Sequence, residues 1–168
     1  MVTDLTVVFS HGKESGPWGS KIRSMASCCE LAGARIVSID YQGIASAAER
    51  TAKLDAYLQS VRGKVLLVGS SMGGYVSAAA GSTSSVIGLF LLAPAFYLRG
   101  YPDIACPGCP IEIVHGWRDE VVPVDNSIRF ARNALATLHL VDGDHRLMGN
   151  LGEINELLVS FLRRVSLS

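Results

Sequence analysis

The chain has 168 residues, 49% of them hydrophobic and 18% charged, an ordinary globular composition long enough for one domain that buries about 70% of its unfolded surface. Lysine plus arginine equals aspartate plus glutamate at 15 each, and no basic run or stripe is present, so neither nucleic acid nor an anionic membrane is expected as a partner. The longest apolar run, residues 87–95, contains Gly88 and Pro94 and is too short to span a bilayer. The first residues, Met-Val-Thr-Asp-Leu-Thr, have no basic segment and carry Asp4, so no signal peptide is read there and a cytoplasmic protein is expected.

In chain order, residues 5–9 form an apolar run that predicts a buried strand ending in Ser10-His11-Gly12. A turn-rich stretch follows. Ile22, Met25, Ala26 and Cys29 then recur at helical spacing, with Gly33 as the stop. Residues 35–40 predict the second strand, and 46–61 a helix with Leu54, Leu58 and Val61 on one face. The third strand, 64–68, runs into Gly69-Ser70-Ser71-Met72-Gly73, after which Val76, Ala78, Ala79 and Ala80 predict helix. The fourth strand spans 86–92 and stops at Ala93-Pro94, and residues 95–110 show no periodicity. The fifth strand, 111–114, ends in His115-Gly116, and a helix with Ile128, Ala131 and Leu135 on one face follows. The sixth strand, 137–141, ends in Asp142-Gly143-Asp144-His145. A last helix over 151–165 carries the stripe Leu151, Ile154, Leu158, Phe161 and Val165. Strand and helix alternate throughout, which predicts an α/β class with a mostly parallel sheet of about six strands and helices on both faces.

Right-handed crossovers place every strand's carboxyl end, and the loop after it, along one edge of such a sheet. Those ends carry His11-Gly12-Lys13, Ser71, Asp119 and His145. Gly69-x-Ser71-x-Gly73 between a strand and a helix is the pattern of a sharp turn that exposes a serine hydroxyl, since a Cβ two residues to either side would crowd the backbone. A hydroxyl is a weak nucleophile unless a base takes its proton, and imidazole, which titrates near neutrality, suits that task. A carboxylate on the second ring nitrogen holds the tautomer and stabilises the imidazolium.

The segments Ser-His-Gly, Val-Gly-Ser-Ser-Met-Gly-Gly-Tyr, His-Gly-Trp-Arg-Asp-Glu-Val-Val-Pro and Asp-Gly-Asp-His-Arg-Leu, taken in this order, resemble a small α/β-hydrolase from about residue 5 to residue 165. The likeness is to lidless bacterial serine esterases and to depalmitoylating hydrolases of that superfamily. It implies a single minimal α/β-hydrolase domain over 1–168 that lacks the first two strands of the full fold. It also implies no cap domain, since only residues 95–110 stand where one is usually inserted. By the same resemblance Ser71 is the nucleophile, His145 the base and Asp119 the acid, and the backbone N–H groups of Lys13 and Met72 form the oxyanion hole.

Each assignment has rivals. Ser70 lacks the flanking glycines. His139 lies inside a strand pattern, and His11 and His115, both before glycine, brace their loops or line the site. Asp125 reads as a helix cap before Asn126-Ser127-Ile128, and Asp142 and Asp144 compete with Asp119, although Asp144 adjoins His145 too closely to reach its ring easily. Glu14, Lys13 and Glu120 read as solvated loop charges, and Arg146, beside His145, as a surface salt bridge or a contact to an anionic group of the substrate. Gly12-Lys13 after a strand is not a P-loop, because Val7 stands where its first glycine is needed and Glu14 where serine or threonine is needed.

Four cysteines complete the inventory. Adjacent Cys28 and Cys29, within a helical pattern, cannot easily bridge each other and are expected as small core or near-core residues. Cys106-x-x-Cys109 precedes a strand instead of opening a helix and has no second ligand pair, so a loop turn is expected there and neither metal nor cofactor. Trp18, Phe96, Tyr97 and Met148 either wall an acyl pocket or pack beneath their loops. An open site without a cap favours short or medium acyl esters. An acyl-protein or acyl-CoA thioesterase and an inactive hydrolase-shaped binding protein are the alternatives. The sequence carries no information on oligomeric state.

Overall fold

The computed structural model describes residues 4–83 and 85–168. Its elements run β1 (Leu5–Ser10), α1 (Ser20–Leu31), β2 (Arg35–Ile39), α2 (Ala47–Ser60), β3 (Lys64–Ser70), α3 (Met72–Ala80), β4 (Val86–Leu92), β5 (Ile111–Gly116), α4 (Val124–Ala134), β6 (Thr137–Val141) and α5 (Leu151–Ser166), with a single 3-10 turn at Met148–Asn150. Six strands form one sheet in the order β2-β1-β3-β4-β5-β6, and every neighbouring pair is parallel.

Alternation along the strands divides the interior into two layers. Leu5, Val7 and Phe9 of β1, Leu66 and Val68 of β3, and Phe90 and Leu92 of β4 pack against α1 and α5 through Met25, Cys29, Leu158 and Phe161. Val8, Val65, Leu67, Leu89 and Leu91 face the other way, toward Leu54 and Leu58 of α2, Tyr75 and Val76 of α3, and Phe130 of α4. Strands buried on both faces read as near-continuous apolar runs, as β1, β3 and β4 do, whereas β5 interrupts its run with the buried Glu112. Cys29 lies in the first layer as a small core residue, and burial pushes its thiol up to about 12.

The order in which successive strands are added reverses where β1 and β3 lie side by side, since β2 lies to one side of that pair and β4 to β6 to the other. The loops leaving β1 and β3 therefore diverge to opposite faces and open a crevice between them, the usual ligand position in open parallel sheets. Residues 95–110 contain neither helix nor strand.

One helix face departs from expectation. The buried residues of α4 are Ser127, Phe130 and Ala131. Ile128 is half-buried, and Leu135 is the left-handed C-cap with φ 54°, almost wholly in solvent. The packed stripe lies one residue earlier than the apolar residues suggest, because Ser127 occupies a core position by hydrogen bonding to His115. Asp125 does not cap the helix: the N-cap is Pro123, and Asp125 lies exposed in the first turn, where an acid favours the helix dipole.

Candidate active site

Ser71 stands at the junction of β3 and α3 with φ 55° and ψ −117°. This lies outside the regions an L-residue prefers and carries strain of about 1–3 kcal/mol. Its backbone is tied on all sides: the N–H donates to Leu92 O at 2.9 Å, and its carbonyl accepts from Gly74, Tyr75 and Ala95. The flanking glycines are steric necessities. A Cβ on Gly69 would come within 2.2 Å of Gly73 O, and one on Gly73 within 1.9 Å of Ser10 O. Close approach at Gly73 also draws the end of β1 against the turn, so that a Cβ on Gly12 would lie 3.7 Å from Ser71 Cβ.

Asp119 and His145 arrive from the loops after β5 and β6. Gly116 lets these loops touch, since a Cβ there would meet Gly143 O at 2.2 Å. Trp117 and Arg118 N–H groups then donate to Val141 O and Gly143 O. Asp144 does not reach the imidazole of its neighbour; its Oδ1 accepts from the N–H groups of Arg146 and Leu147 and shapes the turn that presents His145. Asp142 pairs with Arg118 in solvent.

The three side chains meet. His145 Nε2 lies 3.1 Å from Ser71 Oγ, and His145 Nδ1 lies 2.7 Å from Asp119 Oδ2. The Asp119 side chain is wholly buried, with four donor nitrogens within 3.0 Å of its oxygens. Oδ1 accepts from the N–H groups of Val121 and Val122, both at 2.8 Å, Oδ2 accepts from His145 Nδ1, and His115 Nε2 lies 3.0 Å from Oδ2. Because a carboxylate only accepts, Nδ1 of His145 carries the proton, and the lone pair on Nε2 faces the serine hydroxyl.

His115 was visible in the sequence only as a loop histidine. Both neighbours of its Nε2, Val122 O and Asp119 Oδ2, are acceptors, so Nε2 is protonated, and Nδ1 accepts from the Ser127 hydroxyl at 2.7 Å. His11 is the converse tautomer. Its Nε2 accepts from Tyr41 N–H at 2.8 Å, leaving Nδ1–H to donate to Gly12 O at 2.8 Å. Burial lowers the pKa of both rings below the ordinary 6.5.

A stability signature follows from those two rings. Above pH 6.5 both are neutral in the folded and the unfolded chain. Below it the unfolded chain binds protons that the folded chain refuses, so each ring lowers stability by up to about 1.4 kcal/mol per pH unit until its folded pKa is passed. Thermal melting should therefore show Tm falling as pH drops below 6.5, with a shallower fall in His115→Asn. Equal slopes in the two proteins would mean that His115 does not resist protonation.

The backbone N–H groups of Lys13 and Met72 have no acceptor among the described residues. Of the four candidate pocket residues, Phe96 and Tyr97 share one cavity. Phe96 is buried and stacks on Phe130 at 3.9 Å, and Tyr97, with φ 57°, lies beneath the Arg129 guanidinium at 3.9 Å. These two border a cavity of about 200 Å³ with Tyr75, Ile104, Arg129 and Phe130. Trp18 and Met148 do not line it and are 44% and 41% exposed. His139 lies away from the serine and bonds Glu112 at 3.0 Å, and Cys106 and Cys109 are free thiols in the loop before β5.

Residues 7–162 match the model of the alpha/beta hydrolase family. Among solved structures, the chain is similar to a protein of the alpha/beta hydrolase superfamily from Xanthomonas campestris pv. campestris, at 28% identity and TM-score 0.89, covering 95% of this chain and 98% of that one. The mouse alpha/beta hydrolase domain-containing protein 10 superimposes with TM-score 0.77 at 19% identity, over 95% of this chain and 90% of the other. An esterase of Pyrococcus furiosus does so with TM-score 0.83 at 16% identity, over 96% and 82%. At those two identities the likeness is one of fold. No curated protein is similar in sequence.

Proposed function

Since the chain belongs to the alpha/beta hydrolase family, we propose that it is a serine hydrolase that cleaves carboxylic esters of small acyl groups through an acyl-enzyme on Ser71. The observation that carries this reading is the continuous hydrogen-bonded path from Ser71 Oγ through His145 to a wholly buried Asp119, at 3.1 and 2.7 Å. Ser71 Oγ attacks the ester carbonyl as its proton passes to His145 Nε2. The Asp119 carboxylate, unable to move among its four donors, stabilises the imidazolium. The tetrahedral oxyanion takes the Lys13 and Met72 N–H groups, the second of which also begins α3 and brings the positive end of the helix dipole. His145 returns the proton to the leaving alkoxide, and water repeats the sequence to release the acid.

Among the described residues no helix is long and apolar enough to cross a membrane. A cytoplasmic setting belongs to the same proposal, supported by four cysteines that are all free thiols. Residues 95–110 form neither helix nor strand, which supports reading the site as open, and an open site favours short and medium acyl chains. A fluorophosphonate should label the wild-type protein. In a series of p-nitrophenyl esters, acetate to octanoate should be turned over faster than palmitate. Absence of labelling would sink the enzymatic reading, and a higher kcat/KM on acyl-CoA or acyl-cysteine thioesters would shift it to a thioesterase.

A further inference from the structure

Arg50 lies on the inward stripe of α2 with Ala47, Leu54 and Leu58, and it is only 2% exposed. A hydrophobe at this position would fill the space at lower solvation cost, and among the described residues no carboxylate pairs with the guanidinium. Its hydrogen bonds among the described residues all go to backbone carbonyls. Nε donates to Ile44 O at 2.7 Å, and Nη1 to His11 O at 3.2 Å and Gly12 O at 3.1 Å. The guanidinium carbon is 5.4 Å from the centre of the Tyr41 ring.

Gly12 C=O and Lys13 N–H belong to one peptide plane and point in opposite directions. Holding the carbonyl toward α2 therefore turns the N–H away from α2. The loop lies against Ser71 there, and the N–H meets no acceptor among the described residues. Gly12 O also takes His11 Nδ1 at 2.8 Å, so the plane is gripped from two elements. A cation hydrogen-bonded to one end of a peptide also polarises its other end and strengthens the N–H as a donor.

We propose that Arg50 is a positioning residue for catalysis, aiming and polarising the Lys13 N–H so that it stabilises the oxyanion formed on Ser71. This rests on the serine-hydrolase reading above and adds a residue that touches neither substrate nor triad.

The test compares wild-type protein with Arg50→Met and Arg50→Lys on a short p-nitrophenyl ester, with folding checked by circular dichroism. Arg50→Met should lower kcat by about 10- to 100-fold at unchanged KM, less than outright removal of an oxyanion donor. Affinity for a trifluoromethyl ketone, whose adduct with Ser71 bears the oxyanion, should weaken by the same factor. Arg50→Lys, which keeps a cationic donor, should recover part of both losses. A kcat for Arg50→Met within twofold of wild type would overturn the inference, as would a loss of rate with unchanged ketone affinity. If Arg50→Met does not fold, Arg50→Gln, which removes the charge, decides: at least a fivefold fall in kcat at constant KM supports the role, and wild-type kcat refutes it. Wild-type protein that neither reacts with fluorophosphonate nor cleaves any ester refutes the serine-hydrolase reading and this inference together. An active wild type with an equally active Arg50→Met refutes this inference alone.

Discussion

Ser71→Ala should lower kcat on the best ester by about a millionfold and abolish fluorophosphonate labelling, with little change in thermal stability. The magnitude is that of losing the nucleophile from a working triad, where the remaining groups act only on the attack that serine makes. Stability should hold because the turn is secured by backbone bonds from Ser71 N–H and to Ser71 O, which alanine keeps. The side chain contributes one partly exposed hydrogen bond to His145, worth about 1 kcal/mol. Ser70→Ala is the control. Ser70 ends β3 and has no hydrogen bond to an imidazole among the described residues, so its variant should label normally. Retained labelling in Ser71→Ala would move the nucleophile elsewhere.

Asp119→Asn should lower kcat by about 10⁴-fold at neutral pH with the fold intact, the scale known for this change in other triads. The reason lies in the donor count. Asp119 faces four donors: two backbone amides on Oδ1, and His145 Nδ1 and His115 Nε2 on Oδ2. An asparagine that keeps its oxygen on the amides turns its NH₂ toward both imidazoles. His145 must then present a lone pair at Nδ1 and carry its proton on Nε2, where it cannot accept one from Ser71. His115 Nε2 keeps Val122 O as acceptor, so the structural part of the cost is smaller than the catalytic part. Asp144→Asn should leave kcat within a few-fold of wild type, because the amide oxygen still caps the turn at Arg146 and Leu147. Comparing kcat and Tm of the two variants checks the assignment; near wild-type kcat in Asp119→Asn would place the acid on another residue.

How much of this was legible in the chain depended on whether a residue's partner lies close to it in sequence. Gly69, Ser71 and Gly73 announce their turn because the colliding atoms, Gly73 O and the Cβ that Gly69 lacks, are four residues apart. Arg50 and Ser127 gave a fainter signal, a polar residue at a position where helical periodicity wants an apolar one. Reading α4 by hydrophobicity alone therefore shifted its buried face by one residue. The partners that explain them lie at His11 and Gly12 for Arg50, and at His115 for Ser127. No local pattern encodes those distances.

Local chemistry alone therefore determined the parallel α/β class, the order of the strands along the chain and the presence of a serine, an acid and a histidine after the third, fifth and sixth strands. Apolar runs, helical spacing and glycine sterics act over a few residues, so they survive in a one-dimensional record. Only the tertiary structure decided which loops touch. It placed Phe96 in the core and Tyr97 beside it while leaving Trp18 and Met148 outside their cavity. It also surrounded Asp119 with four donors and set a buried guanidinium, with no carboxylate partner among the described residues, behind the Gly12 carbonyl. Those outcomes depend on close approaches between loops far apart in the chain, such as Gly116 against Gly143, and such approaches exist only once the sheet has brought the strand ends to one edge.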